Sequence, residues 1–178
     1  MAQHPPIQIV DEHDQPVGQA SLHEAFKQGL IHRVVLVIVE NEQGQILLQR
    51  RGPDVATNAN TWDFSAAGYV DVGEDYDESA RRELAEELGL QDFDLRRLYI
   101  RRAGETHQDF TTDRFAAIYK VVIPAGTPLK LEASEVAETE WFSVAELKQL
   151  LENQADEITP FTAGWLWEHY FGDENHGN

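Results

Sequence analysis

The segment from Gly68 to Leu90 reads GYVDVGEDYDESARRELAEELGL, and its spacing predicts a helix from about Asp75 to Leu88. At about 100° per residue, Ala80, Leu84 and Leu88 form an apolar stripe, and Gly89 follows as a left-handed cap that ends the helix. Glu83, Glu86 and Glu87 fall within roughly 100° of arc beside that stripe. One face packs and the next presents three carboxylates. Two such charges a few ångströms apart repel by up to ~4 kcal/mol at an effective dielectric near 20, so a partly buried cluster is strained unless something neutralises it. A divalent cation would do so. The bland alternative is a solvated helix face with ordinary partners, Arg82 and Glu86 at i, i+4 among them.

Composition narrows the chemistry. The chain has 178 residues, no cysteine, and 14 basic against 32 acidic side chains, a formal net charge of −18. That length suits one domain, and 42% hydrophobic residues can build a core. Without cysteine there is no disulfide framework, no thiolate zinc site and no cysteine nucleophile. Any metal must be held by oxygen or imidazole, which favours magnesium or manganese and, through them, phosphate chemistry. The acidity argues against duplex nucleic acid and anionic membranes as partners. Gly68 to Leu90 and Leu131 to Glu157 carry nets of −6 and −7, the second read mainly as solvated surface.

Outward from the helix, no repeat or long linker divides the chain. Strands are predicted at Ile7 to Val10, Val34 to Glu40, Ile46 to Gln49, Leu95 to Arg102, Phe115 to Ile123 and Glu138 to Phe142. Asp11 to Gly18 holds turn residues leading to a capping box at Ser21 and Glu24, and a second box at Ser143 and Glu146 opens a helix to about Glu152. Asn41 to Gly44 is a hairpin turn, Gly52 to Thr61 a loop, and Trp62 to Val70 ordered again. Thr159 and Pro160 sit as N-cap and first residue of an aromatic helix, Phe161 to Phe171. Met1 to Pro6 has no leader pattern and no apolar run reaches the roughly 18 residues of a membrane span, so a cytoplasmic location is expected.

The complete string decides between a metal cluster and a solvated face. Gly68, five residues, Glu74, seven residues, Arg82-Glu83, Leu84, one residue, Glu86-Glu87, one residue, Gly89 and Leu90 match the Nudix box without a departure, and the chain resembles the Nudix hydrolase superfamily. The resemblance implies an α+β fold, an α/β/α sandwich with a mixed sheet flanked by helices, in a single domain over 1–178. Its parts would be an N-terminal extension to about residue 30, a core over 31–158, and a C-terminal helix and tail over 159–178. It also implies that Glu83, Glu86 and Glu87 ligate Mg2+ (Mn2+ as substitute) with the Gly68 carbonyl, and that Arg82 orients the cluster by pairing with Glu74.

A softer resemblance covers roughly Ile7 to Val122. VDEHDQPVG at Val10 to Gly18, His32, QRR at Gln49 to Arg51 and TWDFSAAG at Thr61 to Gly68 are similar to the branch containing type 1 isopentenyl-diphosphate isomerase. That branch has a catalytic Cys-Gly-His where this chain has Ala67-Gly68-Tyr69, and its Gly-Glu-x-Glu segment falls near Gly104 to His107, so isomerisation is not expected. The expected activity is metal-dependent hydrolysis of a diphosphate linkage, by water attack on phosphorus, in a nucleoside diphosphate derivative or related small diphosphate. The alternatives are a non-catalytic metabolite-binding module and an isomerase-like protein lacking the cysteine. Arg50, Arg51 and Trp62 are candidate substrate contacts, although core is the favoured reading of Trp62 and Phe64, and His32 reads as structural. Glu105, His107 and Glu135 are candidate bases from outside the box. Partners are then a small-molecule diphosphate and, for a homodimer, a second copy. Strand alternation sets Arg97 and Arg101 on one face and Arg96 and Arg102 on the other.

Overall fold

A computed structural model describes residues 4–55, 57–106 and 111–172. Among them are nine strands and four α-helices: β1 (Ile7–Val10), β2 (Pro16–Ala20), α1 (Leu22–Gln28), β3 (Ile31–Asn41), β4 (Ile46–Arg51), β5 (Trp62–Asp63), β6 (Ala66–Tyr69), α2 (Tyr76–Leu88), β7 (Arg96–Thr106), β8 (Thr111–Ile123), β9 (Val136–Phe142), α3 (Val144–Asn153) and α4 (Pro160–Phe171). Pairing runs β2-β1-β3-β4-β5, with β6 and β8 on β3, β7 on β8 and β9 on β4. The fold is α+β, a mixed sheet flanked by helices, as the family resemblance implies.

The chain gathers into two compact units. The first comprises Met1–Val37, Ala67–Leu84 and Leu95–Lys120. Its small apolar cluster joins Ile7, Ile9, Ala20 and Ala25 with Leu22, Phe26, Leu30 and Tyr69. Both Ser21 and Glu24 bonds of the capping box form, and Gly29 ends α1 at φ 62°. Here the sequence expectation needs a correction. The turn closes already at Gln15, whose amide meets the Asp11 carboxylate, and Pro16 to Ala20 is a strand antiparallel to β1. Proline at its start and a glycine inside hide it, yet both are tolerated on an edge strand whose side chains are mostly exposed.

A second correction concerns the arginines of β7. Arg97 pairs with Tyr119 and Tyr99 with Ile118, so Leu98 is an extra residue and the pleat shifts by one. Arg97 therefore shares a face with Arg102, and Arg96 with Arg101. Side-chain contacts agree with that register. Arg97 Nη1 and the Tyr119 hydroxyl both donate to Asp77 Oδ1, at 3.3 and 2.5 Å. Arg102 makes a fork on the Asp113 carboxylate at 2.9 and 2.7 Å and lies over Phe115.

The second unit comprises Ile38–Ala66, Ala85–Asp94 and Val121–Asn178. Its β3–β4 hairpin turns at Asn41 to Gly44, where Gly44 has φ 75°. Ile46, Leu47, Leu48, Phe64, Leu147, Trp165 and Leu166 are buried. The Ser143–Glu146 capping box opens α3 as expected, and Pro160 opens α4. Thr159 departs from a simple cap: its hydroxyl donates to Thr162 and lies 3.3 Å from Asp63 Oδ1 instead of bonding the helix amides.

Candidate active site

The helix α2 carries the site, and its frame is set at both ends. Asp75 Oδ1 accepts from the Glu78 amide while Glu78 Oε2 accepts from the Asp75 amide, a reciprocal cap before the first turn. Gly89 follows at φ 69°. Between them, Ala80, Leu84 and Leu88 are buried as the stripe requires.

In the first unit, Arg82 binds both Glu74 and Glu83. Its Nε and Nη2 make a two-pronged contact with Glu74 at 3.0 Å each, and Nη2 also donates to the Tyr69 carbonyl at 3.0 Å. Its Nη1 meets Glu83 Oε1 at 2.7 Å. Ser79 Oγ adds a donor to Glu74 at 2.6 Å. The Arg82 guanidinium beside Glu74 holds that carboxyl below the usual range, so Glu74 stays an anion that fixes the arginine. Glu83 is only 5% exposed. It lies so close against Gly68 that a Cβ there would fall 1.9 Å from Glu83 Oε1, which is why no side chain fits.

The second unit holds Glu86 and Glu87. Glu87 is 3% exposed, and its Oε2 accepts from Gln49 Nε2 of β4 at 3.0 Å. Glu86, one residue back, is exposed. Beyond α2, the Lys130 amide donates to the Leu88 carbonyl and the Glu132 amide to the Glu87 carbonyl, at 2.9 and 3.1 Å. These bonds occupy carbonyls that a helix end leaves open. The following turn brings Glu135, whose carbonyl accepts from Gly52 at 2.7 Å and whose side chain is exposed. Glu105 lies on β7 opposite Thr112, and His107 falls outside the described residues.

The β4 pleat separates the other candidates. Gln49 and Arg51 point to one face and Arg50 to the other. Arg50 stacks over Trp62 at 4.9 Å and pairs with Glu138 and Glu157. Together they line a groove of about 450 Å³ with Phe142, Leu150 and the acidic Glu140 and Glu146. Arg51 is held at both ends, by the Thr57 carbonyl at 3.1 Å and Asp63 at 3.0 Å. Asp63 in turn accepts from Thr162 and from its own neighbour's amide, Phe64 N. Trp62 is 5% exposed and packs edge-on against Phe142, and Phe64 is fully buried beside Trp165. His32 is fully buried, its Nδ1 on the Leu30 carbonyl, and burial pushes its pKa down.

Can these residues take a divalent cation? Among the described residues no group of three or more His, Asp or Glu side chains is gathered at ligating distance, Glu83 being drawn to Arg82 and Glu87 to Gln49. The donor set nevertheless fits a hard cation. Two nearly buried carboxylates sit four residues apart on one helix, and Glu83 lies against the backbone of Gly68. Next to Glu87, Gln49 Oε1 is buried without a hydrogen-bond partner. In the sequence Gln49 stands out only as part of the QRR stretch, because a single amide in an apolar strand carries no spacing signal for a site.

Comparison with known proteins identifies the family. The NUDIX domain family matches residues 30–163. An uncharacterized Nudix hydrolase of Pseudomonas aeruginosa is 37% identical over 133 residues, 74% of this chain and 75% of that protein. An isopentenyl-diphosphate Delta-isomerase of Photorhabdus laumondii is 28% identical over 153 residues, 85% of this chain and 84% of that one. A crystal structure from Deinococcus radiodurans superposes with a TM-score of 0.72 at 26% identity, covering 90% of this chain and 96% of that chain. With the family model spanning residues 30–163 and a Nudix hydrolase 37% identical over most of both chains, the chain belongs to the NUDIX domain family, among the hydrolases that act on pyrophosphate bonds.

Proposed function

We propose that the protein is a divalent-metal-dependent hydrolase, using magnesium with manganese as a substitute, that opens the diphosphate linkage of a nucleoside diphosphate derivative or related small diphosphate. The observation that carries this is the pair of buried carboxylates, Glu83 and Glu87, on the helix of an unbroken box. Buried anions at this density need a cation, and hard oxygen donors select one that also binds phosphate oxygens. Glu83, Glu86, Glu87 and the Gly68 carbonyl would hold it. When bound, it would polarise the phosphoryl oxygens and lower the pKa of the attacking water.

The chain's own contribution is positional. Arg82, clamped by Glu74 and the Tyr69 carbonyl, fixes where Glu83 points, and its charge offsets part of the carboxylate repulsion. Exposed Glu86 is the carboxylate nearest to solvent and to an incoming substrate. Glu135 is a candidate base because its turn is bonded through Glu132 to the Glu87 carbonyl. The groove holding Arg50 and Trp62 is lined by Glu138, Glu140, Glu146 and Glu157, so the phosphates are assigned to α2 and not to Arg50.

The test is a screen of nucleoside diphosphate derivatives and other small diphosphates with Mg2+, read by product identity. Hydrolysis of at least one compound, abolished by chelation, is the expected result. Binding without turnover across the screen would favour the non-catalytic module instead. The isomerase-like alternative has a relative in its support, yet Ala67 stands where a cysteine is needed and the chain contains none. Isopentenyl diphosphate should therefore come through unisomerised.

A further inference from the structure

Gln49 is the buried polar group beside α2 that the Nudix box does not include. It sits mid-strand on β4, paired with Asp63 on one side and Thr139 on the other, and is 3% exposed. Its side-chain orientation is fixed by chemistry: only the amide N–H can face Glu87 Oε2 at 3.0 Å, since turning the amide over would set two acceptors against each other. That leaves Gln49 Oε1 buried with no hydrogen-bond partner. An unsatisfied acceptor is a standing cost to the fold, and buried amides are normally satisfied at both ends.

From this juxtaposition we infer that Gln49 is a positioning residue for the cation site, its Nε2–H holding Glu87 and its Oε1 receiving a hydrogen bond from a water of the hydrated cation. The inference rests on the reading of Glu87 as a ligand. Magnesium and manganese keep several waters when carboxylates bind them, and those waters are O–H donors. A neutral amide suits the place between a carboxylate and such a water, because it donates to one and accepts from the other without adding charge. Outer partners of metal ligands orient the ligand and commonly change metal affinity by 10–100-fold when removed.

The experiment titrates Mn2+ itself into the substrate-free wild type and Gln49→Met, following binding by calorimetry or electron paramagnetic resonance. Thermal unfolding is recorded with and without the ion. Methionine keeps the length and volume of the side chain while removing both hydrogen bonds. Binding at least ~10-fold weaker than wild type, in a variant that still unfolds cooperatively without the metal, is expected. Gln49→Asn keeps the amide but withdraws it by one methylene, so its affinity should fall between the two, and it serves if the methionine variant does not fold. Equal Mn2+ affinity in wild type and variant overturns the role of Gln49 and leaves the proposed function standing. A wild type that binds no Mn2+ overturns that function, and this inference with it.

Discussion

Two side chains on α2 with the same chemistry have different surroundings. Glu87 is buried and tied to Gln49, whereas Glu86 is exposed. Replacing either by glutamine keeps volume and removes a charge, so the fold should survive while kcat/KM falls at least ~100-fold in Glu87→Gln. Product formation at saturating Mg2+, with circular dichroism as the control, measures this. Turnover unchanged in both variants would remove the metal site from this helix. Gly68 gives a sharper test because it carries no functional group to lose. A methyl there would lie 1.9 Å from Glu83 Oε1 and would drive that carboxylate out of its place against the backbone. Gly68→Ala should cost about 1–3 kcal/mol in stability and most of the activity.

At the scale of the element, helix ends and glycines can be read for sign as well as size. Gly89 sits at φ 69°, and a Cβ added to it would meet Lys130 Cβ at 2.8 Å. Left-handed backbone costs an alanine about 1–2 kcal/mol, and the contact adds to it. Gly89→Ala should thus lower the unfolding midpoint by several degrees, about 2–4 °C per kcal/mol for a chain of this size. Gly164, inside α4, has nothing within 4 Å of its would-be Cβ. Gly164→Ala should raise the midpoint, by about 0.4–1 kcal/mol of stability. A calorimetric pair of opposite sign checks both. These same local signals made much of the fold legible: both serine capping boxes, the hairpin at Gly44 and the limits of α2 lie where their residues put them. Contacts that join distant segments were not legible. The bulge at Leu98 reverses the faces of the β7 arginines, and no spacing announces it. Arg51 finds Asp63, and Gln49 finds Glu87, only once segments far apart in sequence are folded together. The box glutamates were visible as a pattern, whereas the amide that holds one of them was not.

For the molecule as a whole, the charge of −18 makes pH and salt the natural variables. His32 is fully buried and its pKa is pushed down by loss of water, partly countered by the Leu30 carbonyl. In the unfolded chain it takes a proton near pH 6.5, so there the unfolded state binds more protons than the native one. Stability from this group is complete above that pH and declines as pH falls through and below it. Carboxylates act in the same direction at lower pH. Glu24 and Glu146 are held down first by their capping serines, and Asp113 first by Arg102. Their contribution is complete above their unfolded values near 4 and is lost as pH falls through their lowered native ones. Unfolding midpoints should therefore be level from about pH 7 to 8, slope downward from about 6.5, and steepen below about 4.5. His32→Asn replaces the ring with an amide that can still donate to the Leu30 carbonyl, and Glu24→Gln with Glu146→Gln keeps both capping boxes while removing their titration. The first variant should lose the upper slope and the second should flatten the lower one. A wild-type midpoint constant from pH 7 to 5 would show that His32 does not titrate with unfolding, whatever the carboxylates do below.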